Sequence, residues 1–227
     1  TYIVITSHNA PSTRRSMIKT FACCLTLLLA THATAAEKLF DAHVHYNASH
    51  AVHYPPELII AILDQNTISH AVVTSNPPEH VKLLQLYAPE RIIPLLGVYE
   101  NADDKENWTE DSSLPERIEE QLKQGGWRGI GELHLFADDR HSPVFLRIIE
   151  LAGQYRTPLM LHTDPAVIDT LYEISPGQPV IWAHAGTFPY PDLLADYLRR
   201  YPALSVDLSV RDERIAPNGI ISDNWYE

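Results

Sequence analysis

Cysteine is nearly absent from this chain of 227 residues, which has only two, adjacent at Cys23 and Cys24. Both lie in an apolar run close to the amino end. The rest of the chain therefore has no thiol for a disulfide, a nucleophile or a metal ligand. Any metal site there is predicted to use nitrogen and oxygen ligands.

Basic residues are also scarce, with 17 Lys and Arg against 29 Asp and Glu and a formal net charge of −12. So acidic a chain repels polyanions over a wide surface. We therefore expect a small-molecule substrate and no nucleic-acid partner. The composition does not indicate an oligomeric state.

Long hydrophobic runs are missing as well. The apolar run 21–30 is too short to span a bilayer. Lys19 precedes it and the small-residue stretch 33–36 follows it, as in a secretory signal peptide. We interpret 1–16 as an upstream extension before Met17, 17–36 as the signal peptide and 37–227 as one folded domain. This domain is predicted to be periplasmic or secreted, without a membrane anchor after cleavage.

No Gly-rich phosphate fingerprint follows the first apolar strand, which argues against a dinucleotide-binding fold. Instead, short apolar runs alternate with segments of helical period, as in βαβ units. Strands are predicted at 39–46, 70–75, 92–99, 128–136, 158–164, 179–187 and 204–211. Helices are predicted at 56–66, 78–88, 114–125, 143–156, 166–174 and 191–201, and 100–113 is interpreted as an insertion in a loop. Parallel strands connected by helical crossovers form either a doubly wound sheet or a closed barrel, so these two folds are the candidates.

Ligand-type residues end four of these strands. Asp41, His43 and His45 share one face of the first strand, because alternate side chains point the same way. Neutral imidazole is the commonest ligand for zinc-type metals, although an isolated pair of histidines is more often structural. Three further strand ends carry Glu132, His162 and His184, which favours a metal or catalytic site. Only a barrel brings four strand ends around one mouth, so we predict an α/β (β/α)8 TIM-type barrel with about seven βα units present.

Glu132 is predicted to face the inside of the barrel together with His134. A buried carboxylate without a partner is destabilising or becomes protonated, and a cation removes that cost. The alternative is a hydrogen bond to a neighbouring strand or an ion pair with an arginine. His134 is predicted to contact the substrate or to orient Glu132. Asp41 and Asp164 are predicted to fix imidazole tautomers from behind the ligands.

The seventh predicted strand carries Asp207, Ser209 and Arg211 on one face. Arg211 is predicted either to bind an anionic group of the substrate or to form a surface ion pair with Asp212 or Glu213. Five other histidines have no strand-end position and are interpreted as surface or loop residues: His50, His53, His70, His80 and His141.

The segments Asp41-Ala42-His43-Val44-His45, Gly131-Glu132, His162 and Trp182-Ala183-His184-Ala185-Gly186, in this order, resemble the amidohydrolase superfamily, particularly its amidohydrolase 2 branch. The resemblance covers roughly 39–227. It implies a distorted TIM barrel with one or two divalent metals, zinc or alternatively manganese, that activate water. It also implies that His43 and His45 bind the first metal, and that His162 and His184 complete the site or meet a second metal and the substrate. Glu132 stands where some members have a metal-bridging carboxylate and others have nothing comparable. We expect Glu132 and His184 to act in catalysis.

The implied function is metal-dependent hydrolysis of an ester, lactone, amide or similar bond of a small molecule. Three alternatives stay open: a decarboxylase of the same superfamily, a phosphodiesterase resembling metal-dependent deoxyribonucleases, and a non-catalytic barrel that binds a metal or ligand. The family's general base is an aspartate ending an eighth strand. Asp207 ends the seventh strand and Asp223 resembles a helix N-cap. The resemblance therefore predicts a fragment that lacks the eighth strand and is inactive as it stands.

Overall fold

Seven parallel strands in sequential order form one sheet in the computed structural model, which describes residues 38–101 and 103–225. The interpretations of 1–16 and 17–36 lie outside these residues. The strands are β1 (Leu39–His45), β2 (Ile68–Thr74), β3 (Ile92–Leu96), β4 (Gly129–Leu135), β5 (Leu159–Thr163), β6 (Val180–Trp182) and β7 (Leu204–Val206). The sheet is curled, as shown by the contact between His43 on β1 and Asp207, which directly follows β7. The predicted TIM-type architecture is confirmed as an incomplete (β/α) barrel.

Helices connect the strands and cover the outer face of the sheet. They are α1 (Ala48–His53), α2 (Pro56–Gln65), α3 (His80–Tyr87), α4 (Leu114–Gln124), α5 (Pro143–Tyr155), α6 (Pro165–Ile174), α7 (Pro191–Arg200) and α8 (Asp212–Ile215). Proline in the first turn begins five of them, where its missing N–H removes no hydrogen bond. Across 38–101 and 103–225, no helix combines the length and the apolar character that crossing a membrane requires.

The two faces of the sheet pack differently. Outward side chains such as Leu159 and Leu161 join the largest apolar cluster, which includes Phe145 of α5. Met160 and His162 alternate with them and face inward. Met160 belongs to a small inner cluster with Val72, Leu95 and Ala183. This inner cluster gives the barrel an apolar layer beneath the polar strand ends.

The last two strands are shorter than predicted. The prediction extended them to residues 187 and 211, but β6 ends at Trp182 and β7 at Val206. After β6 the backbone turns left-handed, with φ of 58° at His184, 56° at Ala185 and 68° at Gly186. A strand cannot continue through this conformation. His184 therefore lies on a turn that follows the strand.

Side chains tie the carboxyl ends of neighbouring strands together. The Thr163 hydroxyl donates to the carbonyl oxygen of Leu135 at 2.7 Å, and the Trp182 indole N–H donates to the carbonyl oxygen of Thr163 at 2.9 Å. Thr74 of β2 donates to the carbonyl oxygen of Gly131 at 2.7 Å. These bonds hold the strand ends that carry the candidate site in one arrangement.

Candidate metal centre

The Glu132 carboxylate lies at the centre of five imidazoles, with 3% of its side chain exposed. Oε2 is 3.6 Å from His43 Nε2, 3.3 Å from His45 Nε2 and 3.4 Å from His134 Nε2. Oε1 is 3.1 Å from His162 Nδ1 and 3.2 Å from His184 Nε2. The structure thus brings together every residue that the sequence analysis predicted as a metal ligand. Within the described chain no arginine pairs with Glu132.

Gly131 explains how β4 presents this carboxylate inward. Its φ is 135°, and a Cβ atom there would collide with the carbonyl oxygen of Met160 on β5. Only glycine allows the two backbones to approach this closely. The β4–β5 register shifts between Ile130 and Leu133, which aims Glu132 and His134 at the inside of the barrel.

Asp207 fixes the tautomer of His43. Its Oδ2 lies 3.0 Å from His43 Nδ1, and both side chains are buried. A carboxylate only accepts hydrogen bonds, so Nδ1 carries a proton, and once Nε2 gives up its own proton its lone pair is available to a cation beside Glu132. This is the carboxylate–histidine arrangement that orients imidazole ligands at metal sites.

Ser209 fixes His184 in the same way. His184 Nδ1 is 3.2 Å from the Ser209 carbonyl oxygen and 2.7 Å from its hydroxyl oxygen. The carbonyl can only accept, so Nδ1 donates and Nε2 is left with a lone pair. The Ser209 hydroxyl donates to Asp207, and the Asp207 carboxylate also accepts the backbone N–H of His184 at 3.2 Å. One network after β7 therefore orients two of the five imidazoles.

Burial and hydrogen bonding shift the pKa values of Glu132 and His43 in opposite directions. Burial alone would raise the pKa of Glu132, but hydrogen bonds from His162, His184 and His43 hold this pKa far below its usual value. Burial alone would lower the pKa of His43, but its bonds to Asp207 and Glu132 raise it to about 9. Burial lowers the pKa of His134 to about 4. The protein alone therefore favours a negative Glu132 beside a protonated His43 and a neutral His134.

The loop after β3 positions His134. The Tyr99 hydroxyl accepts the backbone N–H of His134 at 2.8 Å, and the Trp108 indole donates to its carbonyl oxygen at 2.7 Å. Both aromatic side chains are buried. The Lys105 ammonium from the same loop lies 3.5 Å from His134 Nε2. The predicted insertion 100–113 is thus part of the wall of the site.

The donor atoms of the centre fit a divalent cation. Two sets have donors within 4.8 Å of one another: His43, Glu132 and His184, and Glu132, His134 and His162. Four donors around one zinc lie about 3.4 Å apart, given Zn–N bonds of about 2.0–2.1 Å. The spacings around Glu132, from 3.1 to 3.6 Å, match this value. Nitrogen and carboxylate donors suit zinc and manganese.

An open cavity of about 320 Å³ leads to the first of these sets. Asp41, His43 and His45 line one side, and His184 and Ser209 line the other. Of the two imidazoles from the first strand, His45 is the more accessible, with 32% of its side chain exposed against 2% for His43. A small ligand can therefore reach the centre between β1 and the segment after β7.

Comparison with known families identifies the family of the chain. A family model described as TatD related DNase matches residues 40–182, which include His43, His45, Glu132 and His162. The chain belongs to the TatD related DNase family. No curated protein matches the chain by sequence. TatD membership confirms a metal-dependent hydrolase of the TIM-barrel type related to amidohydrolases, while the amidohydrolase 2 branch is not confirmed.

TatD membership also corrects the prediction about partners. The family is described as DNases, so the expectation that nucleic acid is excluded is wrong. That expectation used the net charge of −12, which is a sum over the whole surface. A metal centre acts on a single phosphodiester group, and bound cations reverse the local charge there.

Three residues that the sequence analysis placed in or behind the metal site have other contacts. Asp41 accepts the backbone N–H of His43 at 3.1 Å and does not contact its imidazole. Asp164 accepts the backbone N–H of Ala137 at 3.1 Å, at the N-terminus of α6, because its strand ends one residue earlier. Arg211 donates to the carbonyl oxygens of His184 at 2.9 Å and Gly186 at 3.0 Å. In the described chain, Asp207 is the carboxylate that fixes an imidazole tautomer.

Sequence reasoning missed several residues that shape the centre. Asp207 and Ser209 share a face by the two-residue period, but the prediction set Asp207 aside because it ends the seventh strand. Their position could have been inferred from the order of the strands. β7 is the strand that follows β6 along the chain and pairs with it, and His184 comes after the end of β6. Tyr99, Lys105 and Trp108 gave no periodic signal, because the loop that carries them folds irregularly.

Proposed function

We propose that the protein is a metal-dependent phosphodiesterase whose substrates include DNA. The observation that carries the proposal is the buried Glu132 carboxylate with five imidazole nitrogens within 3.6 Å, in a chain of the TatD related DNase family. Phosphodiester hydrolysis needs a polarised phosphoryl group and an activated water molecule, and a divalent metal centre supports both.

His43, His45 and Glu132 are proposed to hold one divalent cation, with His162 at the opposite carboxylate oxygen for a second. When bound, such a cation supplies Lewis acidity towards a phosphoryl oxygen and lowers the pKa of coordinated water towards 7. Asp207 orients His43 by accepting a hydrogen bond from its Nδ1–H group. Zinc and manganese are the metals that this donor set favours.

His184 is proposed to accept the proton of the attacking water. His184 Nδ1 donates to Ser209, so a proton is accepted at Nε2, and this atom lies 3.2 Å from Glu132 at the wall of the open cavity. The imidazolium formed by this transfer is stabilised by Asp207, whose Oδ1 is 3.8 Å from Nδ1. A positioned general base contributes about 10²–10⁴-fold to a rate.

The proposal is tested with metal-loaded protein on bis(4-nitrophenyl) phosphate, a single-stranded DNA oligomer and 4-nitrophenyl acetate. We expect both phosphodiesters to be hydrolysed, against the expectation from the amidohydrolase resemblance that the chain is inactive as it stands. His184→Asn is expected to lower kcat by about 10²–10⁴-fold while keeping most of the metal. His53→Ala, which changes an exposed histidine at the end of α1, serves as the control. Hydrolysis of the acetate alone would contradict the substrate class, and loss of metal from His184→Asn would make His184 a ligand.

The size of the cavity favours a second candidate function, hydrolysis of an ester, lactone or amide of a small molecule. Its volume of about 320 Å³ lies at the lower end of the range for small-ligand sites, about 300–1,000 Å³. The same substrate panel separates the two functions. Turnover of carbon-centred esters with no cleavage of either phosphodiester would favour this second function.

A further inference from the structure

Lys105 places an ammonium group beside the metal centre. It lies in the 3-10 turn Asp103–Glu106, on the loop after β3. Its Nζ is 3.5 Å from His134 Nε2 and 5.9 Å from the centre of the Tyr99 ring. His134 Nε2 is in turn 3.4 Å from Glu132. The positive charge of Lys105 thus adjoins the second of the two donor sets.

This ammonium has no carboxylate partner within the described chain, where no acidic oxygen lies within 4.0 Å of Nζ. Its neighbour Asp104 is engaged elsewhere, since it accepts the backbone N–H groups of Glu100 at 2.8 Å and Asn101 at 3.1 Å. His134 Nε2, 3.5 Å from Nζ, can accept at most one hydrogen bond from the ammonium, which has three N–H donors. Within the described chain, the other donors have no protein acceptor.

The loop holds Lys105 in place from both sides. Tyr99 precedes it and Trp108 follows it, and each hydrogen-bonds to the backbone of His134 from a buried position. The backbone around Lys105 is therefore fixed to β4. A cation held next to a metal centre, with no carboxylate partner in the described chain, is suited to bind an anionic oxygen of a ligand.

We propose that Lys105 binds an anionic oxygen of the substrate next to the cleaved bond and so selects anionic over neutral substrates. This proposal rests on the proposed function and adds the charge class of the substrate to it. A phosphate and a carboxylate share the anionic-oxygen chemistry that Lys105 recognises. The position of Nζ beside His134 places the recognised group close to Glu132.

The test compares Lys105→Met and Lys105→Arg with Lys123→Met, a control on α4 whose ammonium pairs with Glu119 at 3.1 Å. The substrates are bis(4-nitrophenyl) phosphate, 4-nitrophenyl hydrogen succinate and the neutral 4-nitrophenyl acetate. Lys105→Met is expected to raise KM about tenfold for an anionic substrate, with little change in kcat and none for the acetate. Lys105→Arg is expected to stay within about threefold of the unchanged protein. A rise for only one of the two anions identifies phosphate or carboxylate as the recognised group.

Binding of inorganic phosphate to the metal-loaded protein, measured by titration calorimetry, gives a readout that does not need turnover. We expect Lys105→Met to weaken this binding about tenfold and Lys123→Met to leave it unchanged. An equal loss for charged and neutral substrates, or unchanged phosphate binding together with an unchanged KM for both anionic substrates, would overturn the proposal. If the unchanged protein hydrolysed nothing, the proposed function would fail while calorimetry still decided on Lys105. Lys105→Gln replaces Lys105→Met if circular dichroism shows that the latter is unfolded.

Discussion

At the scale of single residues, Glu132 has the largest electrostatic consequence. Its carboxylate is buried and receives hydrogen bonds from imidazoles that a bound cation would otherwise engage. A buried charge of this kind is stable only with opposite charge or with several donors around it. The same residue is therefore compatible with the protein without metal and is proposed to bind the cation when metal is present.

We predict that Glu132→Gln abolishes stoichiometric binding of zinc or manganese. An amide has no negative charge to offset the cation, and we expect an affinity loss of at least about 100-fold. The metal content after dialysis, measured by inductively coupled plasma mass spectrometry, checks this prediction. Glu119→Gln on the surface of α4 is the matched control. Equal metal content in both variants would show that the imidazoles suffice.

The pKa of His43 predicts how the metal-free protein responds to pH. Its value of about 9 in the folded state exceeds the ordinary 6.5, so folding favours the protonated form. This contribution to the free energy of unfolding is fully present below about pH 6.5 and is lost as the pH rises towards 9. Urea unfolding of chelator-treated protein at pH 6.5 and pH 9 should show the decrease. His43→Gln should show a much smaller one.

Metal binding should respond in the opposite direction over the same window. A cation competes with the proton on His43, so its affinity rises as the pH rises from 6.5 to 9. If the free energy of unfolding of the metal-free protein stayed constant between pH 6.5 and pH 9, this would contradict the assigned contacts of His43 with Asp207 and Glu132.

At the scale of secondary-structure elements, the turn after β6 determines where His184 points. Three consecutive residues have positive φ there, and Arg211 donates to the carbonyl oxygens of the first and the third. Left-handed conformations are unfavourable for residues other than glycine and need support from their surroundings. Arg211 gives this support from the segment that follows β7.

We predict that Arg211→Ala lowers the free energy of unfolding by about 1–3 kcal/mol, because two hydrogen bonds from a charged donor are lost. Arg211→Lys should recover part of it, since a lysine cannot reach both carbonyl oxygens in the planar geometry of arginine. Urea unfolding measures the change, and kcat reports the displaced His184. A higher KM for anionic substrates with unchanged stability would instead support the substrate-binding function predicted from the sequence.

At the scale of the whole molecule, the charge of −12 limits how the protein can contact DNA. We predict that it engages only one or two phosphates, so that on single-stranded DNA the logarithm of the apparent affinity falls with the logarithm of salt concentration with a slope of about −0.7 to −1.4. Cleavage of a single-stranded oligomer at several salt concentrations measures this slope. A slope steeper than about −5 would require an extended basic surface and contradict the prediction.

We also propose that the domain is exported after cleavage close to Ala36, based on the charged, apolar and small-residue pattern of 17–36. Mass spectrometry of protein recovered outside the cytoplasm is expected to show a mature chain that begins near Glu37. A mature protein that retains Cys23 and Cys24 would contradict this proposal.

The sequence by itself determined the class of fold and most of the site. The alternation of strand and helix periods predicted seven βα units, and the strand ends predicted His43, His45, Glu132, His162 and His184. The fold class is confirmed, and the structure brings these side chains together, because periodicity is local: alternate residues of a strand face one side whatever the rest of the chain does. The strands that follow their period over several residues, β1 and β4, were predicted to within a residue or two.

Only the tertiary structure decided which groups surround the imidazoles. Asp207 meets His43 across 164 positions of sequence, and the loop with Tyr99, Lys105 and Trp108 meets His134 from another strand. The left-handed turn at His184 and the hydrogen bonds of Arg211 are likewise non-local. Such contacts arise when a curled sheet brings distant strand ends together, and no local pattern of residues encodes how far the sheet curls.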